Sequence, residues 1–498
     1  MNGRLLRARW MGALCAVVVA VPLMVSAGGP GEAQPSRPHA PRAAAGSPNT
    51  VVVLVDDMRA DELKVLPRTR KWLGRQGVRF DAAYVPTPLC CPARATLLTG
   101  QYAHNTGVYD NRPGGIRPGG VRAFDDDRTL ATELSRKGIE TGYIGKYLNQ
   151  YRGLWIPPGW TDWRTAIDGH YAYRTPDGER RTGRNSTSTY AGRTVYNING
   201  KERTIRGYET TVQTNLTTRF IRRNADDPFF LLVNYLAPHG TVNGPDGGGP
   251  PVPHKSHAHD FDGLKAPRTK AFNEADVRDK PRRLRRSPMK RKKQERLDRA
   301  AEARAETLQS VDDGMMAIRR TLSRQGILRR TNVVFVSDNG FMLGEHRMSQ
   351  EKIWAYEPSA RVPLLMAGPD VPGKGERRRV PVGLHDLPST ITDWHGLGAM
   401  PGADGVPLFN GRLPRRDILL QGTFETQADI SYTGLRTRGG YKYVEYGYGG
   451  VELYNLRRDP EELRNLARDR SHRSLRARLS HRLDALRDCA ERDCWRRR

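Results

Sequence analysis

Three short runs of apolar residues, rich in β-branched side chains, limit what this chain can fold into. They are Thr50-Val51-Val52-Val53-Leu54-Val55, Phe229-Phe230-Leu231-Leu232-Val233 and Asn332-Val333-Val334-Phe335-Val336. A strand with one face in water alternates apolar and polar residues, whereas a run that is apolar throughout needs cover on both faces. Helix-like stretches fall between the runs, such as Thr129 to Arg136 and Ala301 to Arg324. This alternation predicts an α/β fold, a large doubly wound mixed sheet sandwiched by helices. From about Arg416 the texture changes. Asp417 to Gln421, Thr433 to Arg438, Tyr441 to Tyr446 and Glu452 to Leu456 read as short strands with glycine turns, and Ser474 to Arg492 as a closing helix. They predict a smaller C-terminal α+β subdomain carrying a short antiparallel sheet. No internal repeat is visible.

The ends divide the chain further. Arg4, Arg7 and Arg9 precede an apolar stretch from Trp10 to Val25, and Val25-Ser26-Ala27 has the form of a cleavage site. Residues 1–27 therefore read as a signal peptide and predict a secreted or extracytoplasmic protein with no integral span after cleavage. Residues 28–47, rich in Gly, Pro and Ala, read as a disordered linker. The main domain is expected at 48–410 and the C-terminal subdomain at 411–498. Of five cysteines, Cys15 leaves with the signal, and Cys489 and Cys494 are candidates for a small loop disulfide in an exported protein.

Lys and Arg number 82 against 54 Asp and Glu, a net charge of +28. Loss of the three signal arginines leaves +25. Such an excess suits an anionic partner. Residues 278–299 concentrate it, with 12 basic and three acidic side chains in a long loop feeding a helix. The bland reading is a solvated insertion; the functional one is a rim that docks a polyanion. No helix-turn-helix, RNA-binding sheet signature or zinc finger is present, so no nucleic-acid partner is expected.

Each apolar run ends in polar residues. Asp56-Asp57 follow the first, Ala237-Pro238-His239 the second, and Ser337-Asp338-Asn339-Gly340 the third. Open α/β sheets bind ligands outside the carboxyl ends of their strands. One Asp pair after a strand is ordinarily a helix cap. Two such pairs on one rim, with oxygen donors, point to a hard divalent cation such as Ca²⁺ or Mg²⁺.

The segment Cys90-Cys91-Pro92-Ala93-Arg94-Ala95-Thr96-Leu97-Leu98-Thr99-Gly100 contains a Cys-x-Pro-x-Arg core followed by Leu-Thr-Gly. It resembles the first signature of the type I sulfatases, with Ala93 where the family usually has Ser. Gly138 to Leu148 resembles the second signature. The Cys-Cys-Pro start, Tyr102-Ala103-His104-Asn105 and Gly145-Lys146-Tyr147-Leu148-Asn149 are most similar to the N-acetylglucosamine-6-sulfatases and heparan endosulfatases. The likeness runs from about Asn49 to Leu466.

That resemblance implies a chemistry and a role for each matched residue. Cys90 would be oxidised to formylglycine (3-oxoalanine) by a formylglycine-generating enzyme. The aldehyde hydrate offers one hydroxyl to attack sulfur and a second to expel sulfate, an exit that a plain Ser lacks. Asp56, Asp57, Asp338 and Asn339, with modified Cys90, would hold one divalent cation, Ca²⁺ favoured over Mg²⁺. Arg94, Lys146 and Lys352 would offset charge on the sulfuryl oxygens. His239 would protonate the leaving alkoxide. Asn149 and His104 are further substrate-binding candidates. Many members carry His two residues after the signature lysine, where this chain has Leu148. The expected activity is hydrolysis of sulfate monoesters on sulfated sugars of the glucosamine 6-sulfate type. A phosphonate or phosphate monoester hydrolase using the same site is the alternative within enzymes, and a non-catalytic polyanion-binding protein the alternative outside them.

Overall fold

The computed structural model describes residues 46–496, except 114–116, 168–169, 175–179, 185–189, 242–248, 412 and 424–430. The signal at 1–27 and all but the last two residues of the linker at 28–47 lie outside the described residues.

An eleven-stranded mixed sheet organises the main body. Its centre is Asn49–Val55, flanked by Thr331–Ser337 on one side and Phe229–Tyr235 on the other, all parallel. Glu140–Gly145 and Asp162–Ala166 extend it in parallel. Arg361–Ala367 joins the other side antiparallel and leads to Val78–Tyr84. The central strand is buried at every position. Val52 and Leu54 pack into the core on one face, and Val51, Val53 and Val55 into the core on the other. Each such side chain contributes roughly 1.5–3 kcal/mol relative to exposure, which is why an unbroken apolar run settles at the centre of the sheet.

Register fixes where the chemistry can be. Val55 pairs with Ser337 and with Tyr235, so the three strands end level. Asp56-Asp57, Asp338-Asn339 and the turn to His239 therefore leave the sheet along one edge.

The C-terminal sheet has four antiparallel strands, Ile418–Gly422, Tyr432–Arg436, Tyr441–Tyr446 and Val451–Asn455. Ile418, Leu420, Tyr432 and Val444 pack with Tyr84 and Trp354 of the main body. Cys489 and Cys494 are bridged.

Two expectations are corrected. The long helix is Arg291–Arg324, beginning ten residues before Ala301, so Arg, Lys, Gln and Glu of the basic stretch form helix, as their propensity allows. The closing helix stops at Asp484. The hairpin Ala191–Ile198 and Lys201–Tyr208 was not foreseen. It sits at the sheet edge with a polar, largely exposed face, so no apolar run marks it. Its Asn199-Gly200 turn, both residues at positive φ, was the readable signal.

Candidate active site

Helix Cys90–Thr99 is buried along its whole length and begins at Cys90. Leu89 offers no side-chain cap. Instead Asn111 Oδ1 accepts the Cys91 N–H at 2.8 Å. The positive end of the helix, at Cys90, favours a negative group there.

Around the Cys90 thiol stand three carboxylates and three cations. Lys352 Nζ lies 2.9 Å from Cys90 Sγ and 2.6 Å from Asp57 Oδ1. Asp56 Oδ1 lies 3.6 Å from the same sulfur. Lys146 Nζ donates to Asp56 Oδ2 at 2.5 Å. Arg94 bridges the acids, with Nη2 at 3.3 Å from Asp56 Oδ2 and 2.9 Å from Asp338 Oδ2. Asp338 Oδ1 accepts the Asp57 N–H at 3.0 Å. Asp57 stands at φ 69°, a left-handed conformation that Asp tolerates better than most residues.

His239 is anchored through Nδ1, which lies 2.7 Å from the Gly240 carbonyl, so that it donates there. Its Nε2 then faces Asp57 Oδ2 at 3.7 Å. Tyr190 Oη donates to the His239 carbonyl at 2.5 Å.

The electrostatics of the site come from burial and these neighbours. Burial opposes ionisation of Asp56, yet Lys146, His239 and Arg94 hold it well below the usual carboxylate range. Burial and the charge of Asp56 push Asp338 up to about 6, against Arg94. Burial pulls His239 down, outweighing the pull of Asp56 and Asp57. Burial, then Asp56, pushes the Cys90 thiol up to about 11. An unmodified Cys90 is therefore protonated near neutral pH and a poor nucleophile, since the thiolate is the reactive form.

The donor set suits a hard cation. Single ligand atoms of Asp56, Asp57, Cys90 and His239 lie within 4.8 Å of one another. Asn339 Nδ2 donates to Asp57 Oδ1 at 2.6 Å and to the Gly340 carbonyl. This leaves Asn339 Oδ1 buried without a hydrogen-bond partner among the described residues. A buried acceptor beside three carboxylates, with no donor of its own, fits a cation bound through oxygen.

Nine of the eleven residues singled out from sequence fall in or against this cluster: Asp56, Asp57, Cys90, Arg94, Lys146, His239, Asp338, Asn339 and Lys352. Two are placed elsewhere. His104 is held at Nε2 by the Cys489 carbonyl at 2.8 Å and at Nδ1 by Gln421 Oε1 at 3.3 Å, so it ties the C-terminal segment down. Asn149 donates its N–H to Cys91 Sγ at 3.0 Å and so fixes the neighbour of Cys90. Leu148 is buried in the core.

Two residues were missed. Arg304, on the long helix, donates to the Asp57 carbonyl at 2.7 Å, to the Pro238 carbonyl at 3.3 Å and to Glu62. It thus joins two of the site's strand ends. Asn234 Oδ1 accepts from Arg94 at 3.3 Å. Asn234 was legible as the polar residue closing an apolar strand; Arg304 gave no signal among so many charges.

A buried thiol 2.9 Å from Lys352, with Lys146 and Arg94 on the neighbouring acids, at a helix N-terminus on the carboxyl edge of a doubly wound sheet, defines a class of buried site rich in paired charges. The particular family comes from comparison. The model of the Sulfatase family matches residues 48–397, and this chain belongs to that family. The model described as N-sulphoglucosamine sulphohydrolase, C-terminal, matches residues 344–489. An extracellular sulfatase SULF-1 homolog of Drosophila melanogaster is 31% identical over 73% of this chain and 31% of its own length. The chain thus spans about a third of that relative. N-acetylglucosamine-6-sulfatase of Capra hircus is 30% identical over 91% of this chain and 86% of its own. A solved structure holding its substrate D-glucosamine-2-N,6-O-disulfate aligns with a TM-score of 0.65 at 20% identity, over 88% of this chain and 97% of that one. That likeness shows the shared fold.

Proposed function

We propose that this protein is an exported sulfatase that hydrolyses sulfate monoesters on sulfated sugars, of the glucosamine 6-sulfate type. The observation that carries the reading is the position of Cys90, with its Sγ 2.9 Å from Lys352 Nζ and 3.6 Å from Asp56, a carboxylate that itself takes Lys146 Nζ and Arg94, so that an anionic group at Cys90 meets one lysine directly and two further cations across Asp56. The coverage of the caprine N-acetylglucosamine-6-sulfatase over most of both chains supports the sugar class.

In this reading the Cys90 sulfur marks the place of a formylglycine side chain. That group supplies a hydrated aldehyde as nucleophile, and a divalent cation, Ca²⁺ by family likeness, supplies acidification of the hydrate and charge neutralisation. Asp56, Asp57, Asp338 and Asn339, with the modified Cys90, would hold the cation. Arg94 fixes the carboxylates of Asp56 and Asp338, and through its bond to the Lys146 carbonyl at 2.6 Å it also sets the lysine's backbone. Lys146 and Lys352 bind the sulfuryl oxygens and offset the charge that grows on them. His239, turned inward by the Gly240 carbonyl, presents Nε2 to the leaving oxygen; with Nδ1–H committed to that carbonyl, it delivers a proton from Nε2 only as the imidazolium, which burial opposes and Asp56 and Asp57 favour. Export rests on the basic and apolar residues of 1–27. Among the described residues no helix is long and apolar enough to cross a membrane. The catalytic domain is assigned to 48–410 and the C-terminal subdomain to 411–498.

The test is kcat/KM on 4-nitrophenyl sulfate against 4-nitrophenyl phosphate and phosphonate esters, with sulfate release from N-acetylglucosamine 6-sulfate measured alongside. Preference for the sulfate ester and turnover of the sugar are expected. Dominance of the phosphate or phosphonate ester would replace this reading, and an unconverted Cys90 with no turnover of any ester would leave polyanion binding.

A further inference from the structure

We propose that Asp262, Glu302 and Glu306 form a second divalent-cation site, suited to Ca²⁺, that staples the loop around Asp262 to the long helix Arg291–Arg324. Glu302 and Glu306 are four residues apart on this helix and so share one face. One carboxylate oxygen from each of the three acids lies within 4.8 Å of the others. Acids cluster on many surfaces without an ion, so the state of Glu306 decides the matter. This residue is 3% exposed, and its Oε1 is buried with no hydrogen-bond partner among the described residues. A buried carboxylate oxygen is costly unless something positive meets it.

The surroundings supply backbone donors and one exposed imidazole, and the Phe261 backbone hydrogen-bonds the Glu306 carboxylate, leaving Oε1 as the orphaned oxygen among the described residues. Gly263 donates its N–H to Glu302 Oε2 at 2.8 Å. His259, whose side chain is 83% exposed, lies 3.2 Å from Asp262. No Lys or Arg ion pair reaches any of the three acids among the described residues. Three carboxylates and no thiol make an all-oxygen donor set, which selects a hard cation and disfavours Zn²⁺. Water would complete the shell on the exposed side.

The cluster is separate from the candidate active site. Arg304, which holds the Asp57 and Pro238 carbonyls, lies two residues from both Glu302 and Glu306, about 200° around the helix. One face of the helix thus braces the active-site backbone while the other receives the cation and with it the loop. With only three carboxylates and solvent on one side, the affinity expected is that of extracellular calcium modules, about 10⁻⁴ to 10⁻³ M.

The test uses the full chain, stripped of metal and returned to Ca²⁺ alone. By equilibrium dialysis the wild type is expected to bind one more Ca²⁺ per chain than Glu306→Gln or Asp262→Asn. Tryptic cleavage after the exposed Lys255 and Lys265 should slow about tenfold at a Ca²⁺ concentration ten times Kd in the wild type, and not in either variant. Asp262 is 66% exposed at its side chain, so its Asn variant keeps the fold and carries the test even if Glu306→Gln misfolds. Equal Ca²⁺ stoichiometry in the wild type and Asp262→Asn, or calcium protection that Asp262→Asn retains, would overturn the proposal.

Discussion

Asp338 uses its two oxygens for different ends. Oδ1 accepts the Asp57 N–H at 3.0 Å and Oδ2 accepts Arg94 Nε at 3.0 Å. Truncation therefore removes more than a metal ligand. Asp338→Ala leaves the Arg94 guanidinium, 1% exposed, short of a partner, and the loss expected is about 3–5 kcal/mol of stability. Asp338→Asn keeps one of the two acceptors and sets an NH2 donor against either the Asp57 N–H or Arg94 Nε, so it should be destabilised less than Asp338→Ala and lose turnover. Denaturant titration and kcat/KM on the same two variants check both statements. Lys146→Ala and Lys352→Ala should each lower kcat by about 10²- to 10³-fold, the effect of removing one charge-stabilising donor. Equal effects on KM alone would mean that the lysines only gather substrate. At this scale the sequence was legible wherever a residue stood inside a signature or at the end of an apolar strand. Arg304 stands in neither place, whereas Asn234 closes an apolar strand and carried that same signal. His104 and Asn149 lie near signature residues but bond to the C-terminal segment and to Cys91.

Gly145 closes its strand at φ 105°, and a Cβ there would meet the Asn234 carbonyl oxygen at 2.1 Å. Both the left-handed backbone and the close approach demand glycine. Gly145→Ala should cost more than about 2 kcal/mol and displace Lys146, the next residue. Unchanged stability by denaturant unfolding would contradict that reading. The helix Asp386–Trp394 is flanked by two buried imidazoles, His385 and His395. Burial pulls both down to about 4. The unfolded chain takes up these protons near pH 6.5. Their contribution is therefore fully present above about pH 6.5 and is lost as pH falls toward 4, by up to about 1.4 kcal/mol per pH unit for each ring. His395→Gln should flatten the acid limb of stability against pH by about one such increment. An unaltered slope would mean that His395 is protonated in the folded state. Central strands and the C-terminal sheet were legible from unbroken apolar runs and glycine turns. The edge hairpin was not, because edge strands carry polar side chains on a solvated face. The start of the long helix was hidden because charged helix formers look like loop when no apolar stripe accompanies them.

Across the whole molecule the +28 charge separates into a buried and an exposed part. Arg94, Lys146 and Lys352 are balanced by Asp56, Asp57 and Asp338 within the site. In the 278–299 stretch Lys280 is buried against Glu274 and the Glu462 carbonyl, whereas Arg283, Arg286, Arg291 and Lys292 are exposed. If the exposed set gathers a polyanionic glycan, kcat/KM on a sulfated oligosaccharide should fall steeply with ionic strength while that on 4-nitrophenyl sulfate changes little. Parallel salt curves would remove that role. The assignment of function stands on the state of Cys90. Its most direct test is the mass of the peptide that spans Cys90 in active protein from its own host. Replacement of one sulfur and two hydrogens by one oxygen, the change from thiol to aldehyde, is the result predicted; an intact Cys90 thiol in a fully active preparation would contradict it.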